Sequence, residues 1–262
     1  MRNIYALLSG GTVATLGGLI GLGGAEFRLP ILVGFFGFPT LAAVIMNKLV
    51  SLSVVIFSLI FRSYTISFTD LAPHLLIVIN ILLGSLIGAY LGANYALRIE
   101  ERILNRMILI LLVTLALIML VGDHHIGASK PLIENGILLF IVAIGAGVII
   151  GLVAALLGVA GGELIIPTLM ILFGVDIKIA GSLSLMISLP TMLMAFRQYS
   201  KSDSFREVLK EKIFLLMMIL GSVIGAAIGA IFLRAVDSYA LTLLLSLILF
   251  LSAWKVFAHS HN

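Results

Sequence analysis

Cysteine is absent from this chain, so it holds neither a disulfide nor a thiolate metal site. Charge is scarce: Asp, Glu, Lys and Arg make up 11% of the residues, against about 25% in soluble domains. There is no Walker motif, nucleotide fingerprint, H-E-x-x-H or convincing Ser/His/Asp set, which argues against a primary pump or an intramembrane protease. The expectation is therefore a protein that is not an enzyme and carries no cofactor and no metal. The five histidines lie near segment ends without zinc-like spacing, and His124-His125 reads as a solvated loop pair.

What remains is apolar. Hydrophobic residues are 61% of the sequence and mean hydropathy is +1.26, too greasy for the chain to cover its surface with polar groups, so the excess must face lipid. The net charge of +4 does not point to nucleic acid. The basic residues sit between apolar runs, where cytoplasmic loops carry them. Met1-Arg2-Asn3 and the following apolar run mimic a signal peptide but lack an A-x-A cleavage site, so the run reads as a retained first span. About 20 apolar residues cross the hydrocarbon as a helix. Eight spans are expected, near 4–22, 39–61, 71–97, 103–121, 135–157, 177–196, 212–234 and 238–257. Two shorter stretches, 27–37 and 164–174, would reach only about half a bilayer and read as broken or re-entrant helices.

Shifting the chain by 137 residues superimposes its halves without a gap. Gly21, Gly24, Glu26, Pro30, Leu32 and Gly37 fall on Gly158, Gly161, Glu163, Pro167, Leu169 and Gly174. Gly84–Ala89 falls on Gly221–Ala226. Shared greasiness does not align Gly, Glu and Pro at one offset, so we read a duplication: a repeat over 1–121, a loop over 122–134 and a second repeat over 135–262. Both basic connections, Arg98–Arg106 and Arg197–Lys212, are expected to be cytoplasmic. Counting eight spans puts them on opposite sides. Inverted repeats, with each short stretch adding a passage through a thinned centre, remove the conflict; the shortness of those stretches favours plain re-entrance.

The doubled motif is Gly21-Leu22-Gly23-Gly24-Ala25-Glu26-Phe27-Arg28-Leu29-Pro30-Ile31-Leu32 and Gly158-Val159-Ala160-Gly161-Gly162-Glu163-Leu164-Ile165-Ile166-Pro167-Thr168-Leu169. Consecutive glycines let the backbone leave a helix, and the proline suits the first turn of a new one. A helix start inside the membrane offers N–H groups and a positive dipole end to an anion. A tight helix-packing turn is the alternative.

These residues resemble the sulfite exporter TauE/SafE family of bacterial anion permeases, whose signature G-x-G-G-G-x-x-x-x-P-x-L recurs in both halves. The first copy has Ala25 for the last of the four glycines, and the second has Ala160 for the second. Leu183-Ser184-Leu185 is similar to the family's Thr-Ser-Leu stretch, whereas Met46-Asn47-Lys48 departs from it. The resemblance covers the whole chain. It implies a multi-pass protein of the bacterial inner membrane that moves sulfite, sulfoacetate or other organosulfonates, coupled to a proton or another ion.

Glu26, Arg28, Lys48 and Glu163 are intramembrane charges, each expensive enough that function is the default reading. Lys48 is either a counter-charge to the anion or a partner of Glu26. Arg28 either contacts the anion or neutralises Glu26. Glu26 and Glu163 are coupling-proton candidates, because desolvation favours the neutral acid; otherwise they complement the helix dipole. Asn47 with Ser51, and Ser184 with Ser188, are spaced to share a helix face and either bind an oxyanion or glue helices. With Gly23, Gly24, Ala25, Gly161 and Gly162 they complete the candidate substrate site. The expectation is an all-α duplicated secondary transporter for small sulfur-containing anions; a selective channel and a non-transporting scaffold are the rivals.

Overall fold

Runs of Leu, Ile, Val and Ala that face lipid must satisfy their backbone internally, which helices do. The computed structural model describes residues 1–95, 113, 117, 136–157, 160–199 and 203–259, and among these there is no strand. Helix α1 spans Arg2–Ile20. Helix α2, Ala25–Pro30, continues through a π-helical turn, Ile31–Phe35. Helix α3 is Thr40–Arg62. A short α4, Phe68–Leu71, leads through a 3₁₀ turn into α5, Leu75–Tyr95. Then come α6, Gly136–Leu157; α7, Gly162–Phe173; α8, Ile177–Tyr199; α9, Asp203–Lys210; α10, Lys212–Phe232; and α11, Ser238–His259.

Six described helices are long and apolar enough to cross a membrane: Arg2–Ile20, Ala42–Arg62, Phe68–Gly92, Gly136–Ala155, Ile177–Met194 and Lys212–Phe232. Of the eight expected spans, 103–121 lies outside the described residues apart from Val113 and Leu117. The expected 238–257 is α11, whose described apolar part is the shorter Ser238–Leu251. The two half-length stretches are helical. Their prolines depart from expectation: Pro30 and Pro167 lie inside their helices, each the sixth residue rather than in the first turn. Each removes the N–H donor for the carbonyl four residues back, and after Pro30 the helix widens into the π turn.

Element boundaries repeat at the sequence offset. Adding 137 to the ends of α3 gives the ends of α8, and adding it to the ends of α5 gives the ends of α10. Packing repeats as well, with partners exchanged. Helix α1 lies against α10, and α5 against α6, each pair through glycine. A Cβ on Gly18 would stand 2.6 Å from the Ala226 carbonyl oxygen, and one on Gly229 2.6 Å from the Leu19 nitrogen. A Cβ on Gly84 would stand 3.0 Å from Gly147 Cα, and one on Gly92 3.1 Å from Ala155 Cβ. Small residues let backbones approach this closely in lipid. Contact positions advance together along both members, so each pair is parallel. Two bundles result, α1–α2–α3–α10 and α5–α6–α7–α8, each drawing helices from both sequence halves. They meet where α3 packs on α8.

Helix directions follow from the ends that meet. After α1, the chain doubles back through α2, and the Phe35 ring comes 5.8 Å from that of Tyr5. Arg2 lies 5.1 Å over the rings of both Phe38 and Phe214 and pairs with Glu211 at 3.0 Å. So α1 begins, α2 ends and α10 begins on one face. On the opposite face Arg62, ending α3, donates to Gly18 and Leu19 at the end of α1 and to Lys178 at the start of α8. Helix α8 therefore runs antiparallel to α3. The tight turn after α3 sends α5 back with it, and Ser85 meets Thr191 of α8 at 2.9 Å.

Candidate functional site

Three glycines carry the chain breaks. Gly21, at φ 100°, closes α1 with its N–H on the Gly17 carbonyl at 2.8 Å. Gly24, at φ 68°, precedes α2, and Gly161, at φ 81°, precedes α7. A side chain at these left-handed conformations is strained, which explains glycine there. The two helix starts face each other inside the protein. A Cβ on Gly23 would stand 2.8 Å from Ala160 Cβ, and one on Gly162 3.1 Å from both Leu22 Cδ2 and Ser184 Oγ. Both starts bring first-turn amide groups and the positive end of a helix dipole, equivalent to roughly half a charge each, to one buried place. Gly158 lies outside the described residues.

The side chains around the two starts are unlike. Arg28 of α2 is fully buried, and its Nη1 donates to Asn47 Oδ1 at 3.2 Å and to Ser51 Oγ at 2.8 Å. Asn47 Nδ2 donates to the Ala25 carbonyl at 3.0 Å. One network thus ties the first half-helix to α3. Around α7, Ile165 stands at the position equivalent to Arg28 and is packed in the apolar core. Ser184 and Ser188 of α8 are buried, and among the described residues neither hydroxyl has a hydrogen-bond partner. Lys48 and Glu163 are buried too, at 4% and 3% exposure. Ala25 is fully buried. The side chain of Glu26 lies outside the described residues, so its pairing with Lys48 or Arg28 does not enter the site as described.

Arg62 was not expected here. It is 1% exposed, and its guanidinium also donates through Nε to Ser182 Oγ at 3.0 Å. Ser58, one turn before it on α3, is fully buried with no hydrogen-bond partner among the described residues. Asn47, Ser51, Ser58 and Arg62 share one face of α3, a helical spacing that carries the signal. Arg62 sits at the end of an apolar run, where an arginine reads as an interfacial anchor, and that hid it.

Residues 1–120 and 143–262 match the family model described as Sulfite exporter TauE/SafE. No curated protein and no solved structure matches the chain.

Proposed function

The chain belongs to the sulfite exporter TauE/SafE family of membrane anion transporters, and from that premise we propose that it is a secondary transporter exporting small sulfur-containing anions such as sulfite or sulfoacetate. The observation that carries this reading is the meeting of two helix starts in the protein interior, with Arg28 buried in the first half-helix and Lys48 buried on α3. A fixed positive environment without bulk water suits a small anion, and mid-span charges, at a cost of about 2.5–3.5 kcal/mol each, favour a functional reading. Inverted repeats are part of the proposal. The antiparallel course of α3 and α8 supports them, as does the exchange of partners between the α1–α10 and α5–α6 pairs. Rocking of one bundle against the other along α3 and α8 would then open the site to each side in turn. Glu163, in the first turn of α7, is the coupling candidate next to the anion: its carboxylate and the anion repel, so a proton accompanies binding. Glu26 is its equivalent in the first half.

The test is flux in proteoliposomes and thermal shift of purified protein with sulfite, sulfate, sulfoacetate, taurine and acetate. Sulfite or sulfoacetate should be transported and should raise the melting temperature, while acetate should do neither. Lys48→Met should remove the anion-induced shift yet leave a folded protein. A shift that persists in Lys48→Met would take the lysine out of the site, and flux too fast for a carrier would favour a channel.

A further inference from the structure

The two half-sites have diverged, and we propose that only the second binds the transported anion, while the first is filled permanently by the protein's own guanidinium. This rests on the anion-transporter reading above and says where in that site the oxyanion sits. The repeat makes the comparison internal, because Arg28, Asn47 and Ser51 correspond to Ile165, Ser184 and Ser188. In the first half Arg28 Nη1 uses the Asn47 oxygen and the Ser51 hydroxyl, and the Asn47 amide is used by the Ala25 carbonyl. In the second half the guanidinium is replaced by an aliphatic chain, and both hydroxyls are left over.

A buried hydroxyl without a partner is destabilising by about 1–3 kcal/mol, and serine in a helix ordinarily returns its proton to a carbonyl one turn back. Neither Ser184 nor Ser188 does so. Ser184 Oγ lies at the mouth of α7, 3.1 Å from where a Gly162 Cβ would be. Twelve residues of helix stand behind that mouth. Absence of a side chain at Gly162 lets the Ser184 hydroxyl come this close to the helix start. Two hydroxyl donors and a helix-start amide form a receptor for an oxyanion with several oxygens on one centre. A sulfite or sulfonate head group has them. The ligand is held here by hydrogen bonds, in positive surroundings that come from the helix ends and the buried cations of the first half. One anion per chain is the stoichiometry.

Calorimetric titration of the full-length protein in detergent with sulfite, and separately with sulfoacetate, decides it. The natural protein should bind one anion. Ser184→Ala and Ser188→Ala should each weaken binding tenfold or more, with the melting temperature of the empty protein unchanged or raised. Ile165→Arg supplies the second half with the guanidinium of the first, and should abolish binding. If that variant does not fold, the serine variants still decide. Binding by the natural protein with unchanged affinity in both serine variants would overturn the asymmetric site alone. Two anions per chain would do the same. No binding of either anion by the natural protein would overturn the transporter reading with it.

Discussion

Arg62 donates four hydrogen bonds from one buried guanidinium, to Gly18, Leu19, Lys178 and Ser182. Gly18 and Leu19 lie in the last turn of α1, whose carbonyls have no donor within the helix, so the arginine caps α1 from another helix. Lys178 and Ser182 belong to the facing bundle, so the same side chain ties the bundles together at one face. Arg62→Ala should lower stability by about 3 kcal/mol or more, since bonds to a charged donor contribute about 1.5–3 kcal/mol each. Arg62→Lys should restore less than half, because an ammonium cannot reach as many acceptors as a planar fork. Thermal unfolding of the two variants in detergent measures both. The sequence pointed to Arg28, Lys48 and Glu163 as charges inside the membrane and passed over Arg62. The first three interrupt apolar runs, which a reader of the chain can see. Arg62 ends one, and its acceptors are mostly backbone carbonyls far away in sequence, which no pattern of residue types records.

Helices α1 and α10, and α5 and α6, illustrate the same division at the level of elements. Their small-residue stretches were visible as aligned Gly84–Ala89 and Gly221–Ala226, and so were the half-helices, expected at 27–37 and 164–174 and found within two residues of that. Which glycine touches what was not visible. On α6 a Cβ at Gly145 meets nothing within 4 Å, whereas one at Gly147 would lie 3.0 Å from the Ser85 nitrogen and collide with the Ile81 carbonyl. The two glycines are two positions apart and opposite in consequence. Gly145→Ala should be neutral or stabilising by up to about 1 kcal/mol, the helix-propensity difference. Gly147→Ala should destabilise by about 1–3 kcal/mol through overpacking. Comparing their melting temperatures with the natural protein tests the pairing of α5 with α6 directly.

For the molecule as a whole, the arrangement of ends sets which loops share a side. The face with Arg2, Phe38 and Glu211 also receives the end of α8, while the turn after α3 and the start of α11 lie on the other. Of the basic connections expected on the cytoplasmic side, Arg98–Arg106 lies outside the described residues, whereas in Arg197–Lys212 only 200–202 do. Since the chain has no cysteine, single cysteines report without background. Tyr64→Cys should react with an impermeant maleimide in intact cells. Lys210→Cys and Asn105→Cys should react only after the membrane is opened. Reaction of Asn105→Cys but not Lys210→Cys in intact cells would mean that the halves are parallel rather than inverted.

The glycine seam between α1 and α10 has a consequence in time. About 190 residues separate the end of α1 from the start of its main partner. At a synthesis rate of about 5–20 residues per second, α1 is in the membrane for roughly 10–40 s before α10 has been made. During that interval Gly10, Gly11 and Gly18, which later press against α10 backbone, have only lipid or another chain to face. The α5–α6 seam closes much earlier, so the bundle containing the start of the chain is the last to be completed, and the nascent protein carries an exposed self-adhesive stripe until its final fifth arrives.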